Sequence, residues 1–246
     1  AHILNKKEDE EYYFNFSNKV ADAYESIFTD KKGKLHNEFQ TGYVLPLQFN
    51  MFSEYNKKAA AYNLKKLVEK HNYCIGTGFP GTPYILFALV DNGYVKEAYK
   101  MLENTICPSW LYEVKVGATT IWERWDALDE NGECEIGNDG TGGMISFNHY
   151  ASGSVGDFLY RKVAGIEPIE CGYKKFLIKP VLGGTLTYAK AETKTSYGII
   201  KSDWKIENNK FKLSVTVPYG CEAKVVLPNG DTFIRTHGEY LFENDL

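Results

Sequence analysis

Two short stretches hold most of the residues in this chain that could do chemistry. In GATTIWERWDA, residues 117–127, Glu123 and Arg124 stand between Trp122 and Trp125, with Asp126 next. Aromatic rings flanking a carboxylate suit a pyranose ring. The C–H faces of the sugar pack on indole, its hydroxyls hydrogen-bond to charged groups, and a partly desolvated carboxylate has a proton affinity suited to general acid or base work. The same residue types also fit two core tryptophans with a surface ion pair beside them. In ISFNHYASGSVGDFLYR, residues 145–161, Asn148 and His149 precede a run of small residues. There His149 can be a ligand contact or a satisfied structural group.

Other patterns point away from chemistry. CIGTGFPGTPY, residues 74–84, has glycines ahead of a helix but lacks the Lys-Ser/Thr of a phosphate loop and follows no strand, so it reads as a tight wall loop. The acidic, glycine-rich DENGECEIGNDGTGGM, residues 129–144, does not have the acid spacing of an EF-hand and reads as a mobile surface loop. His2, His36, His71 and His237 form no metal-ligand spacing, and no Ser–His–Asp order stands out.

These stretches must be positioned by two kinds of element. Up to about residue 166 the apolar spacing is helical. Tyr13, Phe16, Val20 and Tyr24 predict a helix over 10–28, with further helices near 42–55, 57–71, 84–90, 95–102 and 147–164. Thr82 before Pro83 is the expected N-cap of the YILFALV helix, and Asn92-Gly93 its stop. The glycines within 147–164 imply a close backbone approach there. The long connection 107–146 fits neither helix nor strand period. From about residue 173 the period becomes two. Strands are expected over 186–193, 199–207, 211–217, 223–227 and 232–234, an antiparallel sandwich. The organisation is α then β, with a helical part over 1–166 and a sandwich over 167–246. Successive helical hairpins suggest half of a larger toroid, whose opened inner faces would seek a partner.

Composition narrows the functions. Aromatics reach 15%, with 18 Tyr, more than a plain core requires. Net charge is −4, with no large basic field, which excludes nucleic acid as the expected partner. No apolar run approaches a membrane span. Five cysteines at irregular spacing, without CxxC, suit reduced thiols and a cytoplasmic protein, although a leader could have preceded this N-terminus.

TGFPGTPY, PSWLYEVKVGATTIWERWD and SFNHYASGSVGDFLYRKVAGI, in that order, closely resemble the C-terminal half of the catalytic domain of α-L-rhamnosidases, glycoside hydrolase family 78. SVTVPYGCEAKVVLP and its neighbouring strands resemble that family's C-terminal β-sandwich. The resemblance implies the later part of an (α/α)6 barrel followed by the sandwich, and inverting hydrolysis of terminal α-L-rhamnosyl linkages by two carboxyl groups. It implies Glu123 as general base and His149 as a ligand of rhamnose hydroxyls. Trp122, Trp125, Arg124 and Asn148 would shape or support the pocket. It implies a rhamnose-containing glycoside as substrate and no organic cofactor, and no metal is suggested. The acid-rich segment that holds the family's proton donor has no counterpart before Cys74. The expectation is a fragment, subunit or descendant completed by the missing N-terminal part or by self-association. The alternatives are a non-catalytic carbohydrate-binding or scaffolding protein, and another (α/α)6 glycosidase or phosphorylase.

Overall fold

In a computed structural model, residues 1–134 and 145–246 are described and divide into two compact units, Ala1–Gly153 and Ser154–Leu246. Helices α1 (Lys7–Phe28), α2 (Gln40–Gln48), α3 (Glu54–Lys70), α4 (Ile85–Val90), α5 (Val95–Leu102), α6 (Trp110–Lys115) and α7 (Tyr150–Gly153) make up the first unit. Its core comes from Tyr43, Val44, Leu64, Val68, Ile85, Leu89, Tyr99 and Met101, each at most 1% exposed.

Pro46 lies inside α2 and has no N–H for the carbonyl of Gly42 four residues earlier. The Tyr24 hydroxyl of α1 donates to that carbonyl at 2.6 Å. Farther along α1, Glu25 accepts from the Ser53 backbone N–H at 3.0 Å and the Ser53 hydroxyl at 2.8 Å, which ties α1 to the start of α3. The rest of α1 departs from expectation. It forms over the predicted span, yet none of its residues is buried, and Tyr12, Tyr13, Phe14, Phe16 and Val20 all stand exposed.

Other expectations are corrected. Connection 107–146 is not structureless, because α6 lies within it. Helix α4 begins at Ile85, not at Pro83, and Thr82 does not cap it. Its hydroxyl instead donates to the Gly78 carbonyl at 3.0 Å and pairs with Thr77 at 2.8 Å, bracing the loop before the helix. The helix predicted over 147–164 begins at Tyr150 and is uneven: α7 passes through Ser154 into α8 (Val155–Phe158), which runs directly into a π-turn over Leu159–Val163. Among the described residues nothing lies within 4 Å of where a Cβ would stand at Gly153 or Gly156, so no backbone crowds those glycines. The close approach is at Gly165, at φ +83°, where a Cβ would lie 2.3 Å from Pro180 N. The loop expected over 129–144 lies outside the described residues from position 135 onward.

The second unit holds two four-stranded sheets. One has the order β1 (Ile166–Pro168), β2 (Lys175–Ile178), β6 (Glu222–Val226), β7 (Thr232–Arg235). The other has the order β3 (Tyr188–Thr195), β4 (Gly198–Glu207), β5 (Lys210–Val217), β8 (Gly238–Asp245). Pairing is antiparallel except for β2 with β6, which run parallel because the chain passes through the other sheet between them. Alternation places Ile200, Ser202 and Trp204 of β4 and Phe211, Leu213 and Val215 of β5 inward. Trp204 Nε1 donates to the Val163 carbonyl and the Ser202 hydroxyl to that of Ala164, each at 2.7 Å, so the chain entering the sheets leaves no orphaned carbonyl there. No helix among the described residues is long and apolar enough to cross a membrane.

Candidate active site

The run 120–123 and the run 146–149 are joined along their backbones. The Thr120 hydroxyl donates to the Phe147 carbonyl, His149 N–H to the Ile121 carbonyl at 2.8 Å, and Glu123 N–H to the Ser146 carbonyl at 2.9 Å. The Glu123 side chain closes the join, its Oε2 accepting the Ser146 N–H at 2.9 Å. Two segments more than twenty residues apart in sequence thus bring Glu123 and His149 to one place, and both side chains are half-buried.

His149 is held by stacking. Its ring lies on Phe79 of the wall loop, with centroids 4.6 Å apart and planes 25° apart, and on Tyr150 at 5.6 Å and 15°. The Ala151 N–H donates to His149 Nδ1 at 3.3 Å, which leaves Nε2 as the protonated nitrogen of the neutral ring, a donor for an incoming hydroxyl. Phe79 is 49% exposed and went unnoticed in the sequence, where it stands among turn residues with no period to mark it. The wall loop itself is pinned by Gln40, 1% exposed, which donates to the Cys74 carbonyl at 3.0 Å and accepts the Gly76 N–H at 2.6 Å.

The tryptophans divide. Trp122 is 2% exposed and packs edge-on to Phe147 at 5.8 Å, beneath the join and away from solvent. Trp125 is half-buried, edge-on to Trp110 at 5.6 Å. Arg124 and Asp126 form a two-pronged pair, both prongs at 3.2 Å, and both are exposed. Asn148 is exposed, its N–H donating to the Ser146 hydroxyl at 3.2 Å.

One helix organises the whole. Ser109 caps α6, accepting the Tyr112 N–H at 3.2 Å. From α6, Tyr112 donates its hydroxyl to the Leu128 carbonyl at 3.2 Å, Trp110 donates Nε1 to the Ser152 carbonyl at 2.9 Å, and Glu113 accepts the Trp122 N–H at 3.2 Å. Glu113 is 1% exposed, and the loss of water around its carboxyl pushes its pKa up to about 7, only partly opposed by the Trp122 N–H. This residue too escaped the sequence reading. The available signal was its spacing three residues after Trp110, on the same apolar face of a short helix.

Burial of Glu113 has a consequence for stability. The folded state holds this proton more tightly than the unfolded chain, whose carboxyl keeps the ordinary value near 4.5. The contribution is therefore complete below about pH 4.5 and is lost as pH rises through about 7. Glu113→Gln cannot ionise and escapes that loss. Its stability relative to the parent is expected to rise between pH 5 and pH 8 by up to about 3 kcal/mol, measured by denaturant melts at both pH values. A constant difference would contradict the buried, protonated carboxyl.

Among the described residues no three His, Cys, Asp or Glu side chains converge to hold a metal ion. The comparisons with known proteins agree across both units. Residues 1–163 match the family described as the bacterial alpha-L-rhamnosidase 6 hairpin glycosidase domain, and residues 165–241 the bacterial alpha-L-rhamnosidase C-terminal domain. An alpha-L-rhamnosidase of Streptomyces avermitilis is 35% identical over 235 residues, 95% of this chain and 22% of that protein. One of Formosa agariphila is 37% identical over 234 residues, 94% of this chain and 25% of that protein. Among solved structures, the native α-L-rhamnosidase of Aspergillus terreus superposes with a TM-score of 0.92 at 35% identity, covering 98% of this chain and 28% of that one. The Streptomyces avermitilis α-L-rhamnosidase complexed with L-rhamnose gives 0.88 at 31% identity, covering 96% and 24%. The chain spans about a quarter of the length of the curated relatives it matches.

Proposed function

We propose, from the premise that this chain belongs to the bacterial α-L-rhamnosidase family, that it carries the base half of a site hydrolysing terminal α-L-rhamnosyl linkages with inversion. The observation that supports this most is the join that sets Glu123 beside the His149 segment. One oxygen of Glu123 is held by the Ser146 N–H. The other accepts no hydrogen bond from the described residues, which suits a carboxylate that takes a proton from water. His149 Nε2 donates to a rhamnose hydroxyl, Phe79 and Trp125 offer ring faces at the rim, and Arg124, Asp126 and Asn148 supply polar contacts there. Trp122 supports the site from below. L-rhamnose as the recognised sugar draws on the ligand of the Streptomyces avermitilis relative.

In this reading Glu123 deprotonates a water that attacks the anomeric carbon, while a carboxylic acid protonates the leaving oxygen from the opposite face. We place that acid outside this chain. Glu113 is another carboxyl held beside the run 120–123, but it is shut away behind Trp122, so it cannot reach a sugar. The test is turnover of p-nitrophenyl α-L-rhamnopyranoside by the full-length natural protein, with no requirement for phosphate. An absence of turnover, or turnover only with phosphate, would contradict the reading.

The partner follows from α1. Its exposed Tyr12, Tyr13, Phe14, Phe16 and Val20 form the kind of apolar surface that is normally covered. We assign that cover to the remaining part of the enzyme or, in the isolated chain, to a second copy. The 246-residue chain alone is expected to associate with rising concentration in sedimentation velocity, and Phe16→Glu to shift it toward monomer. A parent chain that stays monomeric at every concentration would contradict this. The five unpaired thiols favour a reducing, cytoplasmic setting.

A further inference from the structure

We propose that Glu113 is a positioning residue for this hydrolysis, holding the backbone at Trp122 so that Glu123, the next residue, presents its carboxylate to the reacting water. The inference rests on the reading of Glu123 as general base. Three observations carry it. Glu113 Oε2 accepts the Trp122 N–H at 3.2 Å, and the Trp122 ring is itself buried against Phe147, so the residue before Glu123 is fixed by both backbone and side chain. Glu113 Oε1 is buried with no hydrogen-bond partner among the described residues. An orphaned buried polar atom costs stability, and an apolar side chain would fill the same space without that cost. A carboxyl kept there against stability is explained by what its other oxygen holds. Finally, α6 touches the run 122–128 at three places, through Trp110, Tyr112 and Glu113, and Glu113 is the contact nearest to Glu123.

Substitution separates positioning from chemistry. Glu113→Gln keeps an acceptor of the same reach. Glu113→Asp withdraws it by about 1.5 Å, one carbon–carbon bond. A displacement of this size remote from the reacting atoms costs up to about 100-fold in rate. In the full-length natural protein, assayed on p-nitrophenyl α-L-rhamnopyranoside beside Glu123→Gln, kcat of Glu113→Asp is expected to fall about 10–100-fold. KM should stay within about threefold and Glu113→Gln should hold kcat within about threefold of the parent. Near-UV circular dichroism confirms the fold of each. Should Glu113→Asp fail to fold, Glu113→Met takes its place with the same expectation. Normal kcat in Glu113→Asp overturns the proposal while leaving Glu123 untouched. A Glu113→Gln loss as deep as that of Glu123→Gln also overturns it, because the carboxyl itself would then be used. Full activity in Glu123→Gln, or no turnover in the parent, overturns the base reading and this inference with it.

Discussion

Glu123→Gln is expected to lower kcat on an aryl α-L-rhamnoside by about 10²–10⁴-fold, the contribution of a positioned general base, while the protein melts within a few degrees of the parent. Both halves follow from the geometry. The amide oxygen of Gln can still accept the Ser146 N–H, which the carboxylate holds at 2.9 Å, and the backbone bond between Glu123 N–H and Ser146 is unaffected. The join therefore survives, and with it the placement of His149. What is lost is the capacity to take a proton from water. Because that capacity matters only in the transition state, KM should change little. Steady-state kinetics and a thermal melt on the same preparation check both statements, and near-normal kcat in a folded variant would contradict the role.

His149→Ala is expected to act differently. The side chain supplies a donor at Nε2, fixed by the Ala151 contact at Nδ1 and by stacking on Phe79. A site built to hydrogen-bond a substrate hydroxyl loses about 1–3 kcal/mol when that donor goes, roughly 10–100-fold in kcat/KM. A hydroxyl bound alike in ground and transition states shows most of such a loss as a raised KM, and that is the expected split here. Phe79→Ala should reproduce part of the effect by freeing the ring. The check is kcat and KM for the two variants, together with L-rhamnose affinity by calorimetry. Unchanged L-rhamnose affinity in His149→Ala would place the ring outside the sugar site.

Much of this arrangement was legible before any coordinates. The strands of the second unit follow the two-residue period, because each has one face packed and one face wet; β4 and β5 lie within one residue of the expected spans at either end. Strands β1, β2 and β8 escaped notice, the first two too short to show a period. Helix α6 was hidden for a related reason. Six residues, two of them aromatic and one β-branched, are too few to form a helix alone, and it is the Ser109 cap and packing around Trp110 that form it. At 147–164 the helical period matches helical backbone from Tyr150 to Val163, and only the break at Ser154 and the π-turn at its end leave no mark on the pattern. The motif pointed to Glu123 and His149, but the backbone join between their segments could not be read from it, since pairing across twenty residues leaves no periodic trace. Glu113 leaves only the weak signal of its spacing from Trp110, because an acid on a short helix looks like solvated surface until the helix is seen to be buried.

The central claim, that Glu123 acts as a base toward water in an inverting reaction, is tested most directly by the anomer first released. Proton NMR of the full-length natural protein acting on an aryl α-L-rhamnoside should show β-L-rhamnose appearing before mutarotation produces the α form. Initial release of α-L-rhamnose would mean two displacements, with a carboxylate acting as nucleophile, and would contradict the role assigned to Glu123.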